Sequence, residues 1–382
     1  MNILLTTHQL ADFAGSEIYT FELAKGLTLA GHKVTVYSRY IDKFEKLFAD
    51  AGIPLVTDLQ RIQHKHFDVA HVHHHINALE VRLAFPSLPI FFLSHGAKTF
   101  LEQPPAIDIN IAHYGAVSRR VQQVLTQSGV KKKNISIIPN IVDEQVFSPT
   151  TPIRQTIQKA LIISNRMDEK TEQVIRSACK KLNIEVTAIG SRFKRVANAD
   201  IPQYINAADI VFTIGRGVIE TMMCGRVPFI YDFKGGDGLL TPDLFKHSAK
   251  YHFNGGYKKA TFTVAQMVKE VKKYDASYGE KLRTVAMSEY SVKAGVRQLE
   301  EVYKKTIRSH HSMKINKELL QYIVETIRVT RLHTFSRSEK KTVVEQLRTL
   351  KGDVKALITD QIDELFNNDS MFRRRPLSSR SN

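Results

Sequence analysis

The sequence predicts an α/β protein made of two successive sheet-and-helix units of similar size, followed by a helical extension. Three observations lead there. Short apolar runs rich in β-formers alternate with helix-period segments; the alternation halts at a breaker cluster near residue 150 and then resumes; and past residue 310 strand patterning is gone. Alternation of this kind argues for parallel sheets wrapped by helices, because parallel neighbours need a long crossover.

In the first unit, residues 1–150, the strand runs are "NILLTT", "KVTVYSR", "VAHVH" and "IFFLSH", with a helix through "YTFELAKGLTLAG" between the first two. Ser148, Pro149, Thr150, Thr151 and Pro152 can continue neither a helix nor a central strand, so the boundary falls there. The second unit, residues 151–290, offers "KALIISN", "EVTAIGS", "DIVFTIG" and "VPFIYDF". From about Glu289, "EYSVKAGVRQLEEVYKKTIR" reads as one amphipathic helix, whose part over 291–310 is long enough to cross back to the first unit. In residues 311–382 the apolar positions Leu319, Leu320, Ile323 and Ile327, then Val343, Leu347, Leu350, Val354 and Leu357, recur at helical spacing and predict two or more helices. The basic end "FRRRPLSSRSN" reads as disordered. Open parallel sheets bind ligands beyond the carboxyl ends of their strands, so functional residues are expected at strand-to-helix turns, in a cleft between the units.

At 382 residues and 43% hydrophobic content the chain has enough material for two packed cores. Its two cysteines, Cys179 and Cys224, follow no metal or redox spacing and suit a reducing compartment. The start "MNILLTTH" is too short for a signal-peptide core, and no run reaches the ~18 apolar residues of a spanning helix. A cytoplasmic protein is expected, with peripheral attachment to a membrane left open. The formal charge is +17, of which residues 311–382 supply 14 Lys/Arg minus 9 Asp/Glu, or +5. Such a balance favours an anionic partner: a phosphorylated substrate, an anionic lipid surface or, least expected, nucleic acid.

The stretch "VFTIGRGVIETMMCGRVPFIYD" places one carboxylate, Glu220, among glycines and apolar residues. A strand there runs into Gly215, Arg216 and Gly217, and a helix is expected from near Val218, in whose first turn Glu220 would lie. Free amides at a helix start make an anion site that a diphosphate fits. Glu220 can accept two hydrogen bonds from vicinal hydroxyls such as those of a ribose; the plainer reading is an acid favoured by the helix dipole.

The chain resembles the GT-B glycosyltransferases of the large retaining family four over roughly residues 1–308. The resemblance is carried by "GSEIYTFELAKGLTLAGHKVTV", "LSHG", "AVSRRV", "ISIIPNIVDEQVFSP", "SNRMDEK" and "GRGVIETMMCG", in this order. It implies two Rossmann-like domains facing across a cleft, the acceptor mainly on residues 1–150 and a nucleotide-diphosphate sugar, the co-substrate, mainly on 154–290, with no cofactor besides. It implies further that Arg166 and Lys170 neutralise the diphosphate leaving group, although their spacing is one residue shorter than the family's. His95 would sit beside the reacting sugar, and Gly15 and Ser16 would let backbone approach the donor, while Glu17 would serve the acceptor. The family's earlier glutamate, which contacts the donor sugar, is Phe212 here; Asp237, in "KGGDGLLTPD", is the carboxylate that could stand in for it, unless it is only a polar residue of a glycine turn. Two fixed cations can stabilise a diphosphate without a metal, and no Asp-x-Asp pair occurs, so metal independence is expected.

In "HVHHH", His71, His73 and His75 would share one strand face at about 6.5–7 Å intervals, a conceivable zinc site. No carboxylate or cysteine pattern completes it, and cleft-lining or structural histidines are the stronger reading, with His73 on the acceptor side. The basic clusters at Lys131 to Lys133, Arg192 to Arg195 and Lys258 to Lys259 read as solvated faces or, if they share one side, as an anionic-lipid contact. The rival functions are a nucleotide-sugar epimerase on the same fold and a degenerate transferase that binds polyanions or membranes.

Overall fold

The computed structural model describes residues 1–331 apart from 12, 14, 98 and 314, with side chains as far as residue 327. The periodic positions Val343 to Leu357 and the basic end lie outside the described residues.

The first lobe runs β1 (Asn2–Leu10), α1 (Gly15–Leu29), β2 (Lys33–Ile41), α2 (Glu45–Asp50), β3 (Leu55–Val56), β4 (Val69–Val72), α3 (His75–Ala84), β5 (Ile90–Ser94), β6 (His113–Ala116), α4 (Arg119–Gln127) and β7 (Ile135–Ile137). Its strands form a parallel sheet in the order β3-β2-β1-β4-β5-β6-β7. Ile3, Leu4 and Leu5, consecutive in β1, are all fully buried. Helices cover both faces, which is why the strands read as continuous apolar runs rather than as alternations.

The second lobe runs β8 (Lys159–Ile163), α5 (Glu169–Lys181), β9 (Glu185–Ile189), α6 (Ile201–Ala207), β10 (Ile210–Thr213), α7 (Arg216–Met223), β11 (Val227–Asp232), β12 (Gly235–Leu239), α8 (Pro242–Ala249), α9 (Val264–Val271) and α10 (Ser277–Glu289). The strand order is β12-β11-β10-β8-β9, with β12 antiparallel on the edge.

The amphipathic helix expected from about Glu289 is present and starts at Val292, separate from the helix before it. α10 ends at Glu289, and Ser291 caps α11 (Val292–Ser309) by accepting the Ala294 amide at 3.1 Å. A serine whose hydroxyl satisfies an orphan amide at N3 starts a new helix rather than continuing the old one. α11 returns to the first lobe, where Leu299 and Tyr303 are fully buried in its core. α12 (Lys317–Arg331) lies on α3 and adds Leu319, Tyr322, Ile323 and Ile327 to that same lobe, while Leu320 faces outward.

Each sheet reverses its strand order once, between β1 and β4 and between β8 and β10. The carboxyl ends of those pairs are the crevices in which this architecture holds ligands.

Candidate functional site

In the second lobe the turn after β8 is organised by Ser164. Its hydroxyl donates to both carboxylate oxygens of Asp232 (3.1 and 2.9 Å) and accepts the amides of Arg166 (3.1 Å) and Met167 (2.9 Å). Asp168 then caps α5 through the Thr171 amide at 2.8 Å. Arg166 and Lys170 emerge exposed from this turn, and among the described residues neither side chain makes a hydrogen bond or ion pair. Burial raises the Asp232 carboxyl pKa, and the Phe233 amide, Ser164 and the Arg166 charge oppose that shift. Gly190, at the end of β9 with φ +134°, abuts the same turn: a Cβ there would stand 1.9 Å from the Ser164 carbonyl oxygen. Gly190→Ala should therefore displace the turn that carries Arg166 and cost about 3 kcal/mol of stability, read from the urea midpoint.

The neighbouring turn leads from β10 into α7. Gly215 takes φ +61°, and its amide donates to Phe253 O at 3.0 Å, while Val218 N donates to Gly215 O. The leading amides of Arg216 and Gly217 are thus the ones left for a ligand. Val218 is excluded as a contact, because its side chain is in the core and its amide is used. Gly217 serves packing as well, since a Cβ would meet Thr213 Oγ1 at 2.3 Å. Glu220 lies beyond the first turn of α7, so the dipole explanation of its presence loses force. Its Oε1 accepts Arg216 Nε at 2.7 Å; its Oε2 makes no hydrogen bond among the described residues.

Arg216 departs from the expected role of a free donor contact. Its guanidinium also donates to Glu22 Oε1 of α1 at 2.6 Å and to Ile141 O at 2.9 Å, which ties the second lobe to the first. Nearby, Lys25 pairs with Asp143 at 3.0 Å. Burial raises the Glu22 carboxyl pKa to about 7 although Arg216 opposes the shift. Burial by itself would lower the Arg216 pKa, yet Glu22 and then Glu220 carry it above the usual range. We take the guanidinium as charged, and the expense of the arrangement as falling on Glu22.

On the first lobe, Gly15 opens α1 without a positive φ, and nothing lies within 4 Å of where its Cβ would be, so its backbone is approachable. Ser16 Oγ donates to Glu17 Oε2 at 2.7 Å, and Gln9 reaches the other oxygen of this buried carboxylate. His73 lies beyond the end of β4, with Nδ1 3.2 Å from Thr20 Oγ1, and His95 beyond the end of β5. Their rings meet edge-on at 4.9 Å, and Tyr19 contacts both. Among the described residues, the Nε2 atoms of His73 and His95 and the Tyr19 hydroxyl are buried without a hydrogen-bond partner. Burial pushes His95 down to about 4, against the opposing hydrogen bond from Asn140.

The row of three histidines on one strand face does not exist. β4 ends at Val72, and His75 is already the first residue of α3, its ring 4.6 Å from Phe100. His71 points into the core and bonds the Tyr303 hydroxyl at 2.6 Å. Among the described residues no group of three or more His, Cys, Asp or Glu is placed to hold a metal ion.

Asp237 is not a spare carboxylate. It sits fully buried in β12 rather than in a turn, and it accepts Ser248 Oγ (2.7 Å) and the amides of Tyr257 (3.1 Å) and Lys258 (2.8 Å). Phe212 is buried against Phe229 at 4.7 Å. Of the basic clusters, Lys131 to Lys133 precede β7 in the first lobe, and Arg192 to Arg195 follow β9 in the second. Among the described residues no helix is long and apolar enough to cross a membrane.

Residues 13–146 match the model of Glycosyltransferase Family 4. The chain also superposes on a glycosyltransferase from Rickettsia africae with TM-score 0.61 at 15% identity, covering 80% of this chain and 99% of the other. The chain has the GT-B fold, and its first lobe is similar to glycosyltransferase family 4. Anabaena Alr3699/HepE in complex with UDP-glucose shares the GT-B fold at TM-score 0.55 and 17% identity, over 80% of this chain and 99% of that one. So does a UDP-N-acetylglucosamine 2-epimerase of Listeria monocytogenes, so described in its structure, at TM-score 0.50 and 9% identity, over 82% and 98%. No curated protein sequence matches the chain. Sequence reasoning missed Glu22, Asn140, Ser164, Asp232 and His252, although Asp232 ends a strand that it had found.

Proposed function

We propose that this GT-B protein transfers a sugar from a nucleotide-diphosphate sugar to a hydroxyl acceptor, with retention of configuration and without a metal ion. One observation carries the reading: the leading amides of α7, the open Oε2 of Glu220 and the cations Arg166 and Lys170 lie on adjacent turns at one switch point. Cleavage at the anomeric carbon builds negative charge on the diphosphate. The α7 amides are held in place before that charge appears, and Arg166 and Lys170 are free to close on it as it forms, so together they favour the transition state over the ground state. With three such donors the residues present meet the charge themselves, which supports metal independence. Glu220 takes the ribose hydroxyls, and the acceptor lies on the first lobe near Glu17 and His73. Retention rests on the likeness to the family. The Anabaena neighbour binds UDP-glucose, which makes a UDP-sugar the first donor to try.

The test is a panel of UDP-, GDP- and ADP-sugars with EDTA present, in which nucleotide release, sugar isomerisation and thermal shift are recorded. One donor should raise Tm and yield free nucleotide. Arg166→Ala should then lower kcat by about 10²- to 10³-fold. Glu220→Ala, which loses hydrogen bonds to a charged group, should weaken nucleotide binding by about 1.5–3 kcal/mol. Isomerisation without an acceptor would favour the epimerase reading instead. No nucleotide-dependent shift, with salt-sensitive polyanion binding, would overturn both.

A further inference from the structure

The position at which the family places its sugar-side glutamate is a core phenylalanine here. What the second lobe does bring to the cleft is the loop after α8. Lys250 O accepts the amide of Arg120 in α4, on the first lobe, at 3.1 Å. His252 and Phe253, in succession, both take φ +53°, a left-handed conformation that non-glycine residues avoid and that recurs where a site over-determines the backbone. Phe253 anchors the loop: its ring is fully buried near Phe245 and Tyr290, and its carbonyl receives the Gly215 amide. His252 is thereby directed across the cleft, where its Nε2 lies 3.1 Å from Asn140 Nδ2. Asn140 Oδ1 lies 2.9 Å from His95 Nδ1.

We propose that His252 is a positioning residue which, through Asn140, fixes the tautomer and orientation of His95 while the lobes are together. The chain of donors admits one assignment in this amide orientation. His95 Nδ1–H donates to Asn140 Oδ1, the Asn140 amide donates to the bare Nε2 of His252, and His252 keeps its own proton on Nδ1. His95 Nε2, buried and without a partner among the described residues, is left as an acceptor for a hydroxyl. Burial and the Arg216 charge keep His252 neutral, as the bridge needs, because a protonated ring would turn a second donor toward the amide. The effect on turnover rests on the transferase reading, which sets His95 beside the sugar; the effect on the tautomer does not.

The experiment uses the full chain labelled with ¹⁵N-histidine, with the His95 signals assigned by their loss in His95→Gln. Two substitutions separate reach from backbone preference. His252→Asn tolerates the left-handed backbone but is too short to meet Asn140, whereas His252→Gln returns an acceptor at that distance. Wild type should show the Nδ1–H form at His95, His252→Asn a mixture of tautomers, and His252→Gln the wild-type signature. With an active donor, His252→Asn should lower kcat about 10-fold with KM for the nucleotide sugar changed less than about 2-fold, and His252→Gln should recover most of it. An unchanged His95 signature in folded His252→Asn overturns the proposal. A shifted signature in a protein that turns over no nucleotide sugar upholds the positioning and defeats the transferase reading alone.

Discussion

Between pH 7 and pH 5 the protein should lose most of its stability, seen as a collapse of the urea midpoint. Burial holds His71, His73 and His74 well below the usual histidine range, and His75, His95, His113 and His252 at about 4. A depressed folded pKa means that the unfolded chain binds more protons below pH 6.5, so stability is present above that pH and drains as pH falls. Each such histidine contributes a loss of about 2 kcal/mol across these two pH units. Buried carboxyls act in the opposite sense, Glu22 and Glu102 most strongly. Glu22 and Glu102 are raised by burial to about 7 and about 8, so the folded state takes up their protons first and each returns about 2 kcal/mol over the same range. Seven such losses against two returns leave a net loss on the order of 10 kcal/mol, comparable to the whole stability of a typical domain. His75 offers the cleanest check, because it is buried against Phe100 and burial is the largest cause of its lowered pKa. His75→Met should flatten the profile by about 2 kcal/mol between pH 7 and pH 5. A midpoint that is level or rising toward pH 5 would refute the account.

That acid sensitivity was half legible in the sequence. Four histidines in five positions announce themselves, but their surroundings depend on where the strand stops, and nothing in "HVHHH" says that β4 ends at Val72. Assigning one period to the whole run put His75 on a face that it never shares. The sheets were legible for a physical reason: strands covered on both faces must be apolar throughout, as in "NILL" and "IFFL". β12 was not, since "GGDGL" lacks β-formers and is held as an edge by pairing with β11. The start of α11 could have been placed more closely from its capping residue Ser291, since amphipathic periodicity alone put it near Glu289. Glu220 stood out because a carboxylate in an apolar, glycine-rich stretch calls for a reason. Its partner's second bond did not, because Arg216 and Glu22 are 194 residues apart, and Asn140 and His252 are 112 apart. Pairs of that kind follow from how the lobes meet, and no local pattern encodes them.

Replacing Arg216 by methionine should cost about 3–5 kcal/mol, because it leaves the carboxylates of Glu22 and Glu220 facing each other, buried, with no cation between them. Both are about nine-tenths buried, and the guanidinium that bonds one oxygen of each is scarcely more exposed. Lysine should not rescue the loss: one ammonium cannot present three donors in a plane to Glu22, Glu220 and Ile141 O at once. If the expense comes from stranded charge and not from lost packing, removing one carboxylate must recover part of it. Arg216→Met with Glu22→Gln should then be more stable than Arg216→Met alone by more than about 1 kcal/mol, a coupling that a purely steric defect would not produce. On the proposed function the same pair would set the geometry of the nucleotide site, since Arg216 occupies Oε1 of Glu220 and leaves Oε2 for a ribose hydroxyl. The double variant should therefore regain stability without regaining nucleotide affinity, measured calorimetrically with the nucleotide that the donor panel selects. Recovery of both together would mean that Arg216 acts only by holding the lobes, and that Glu220 needs no fixed orientation.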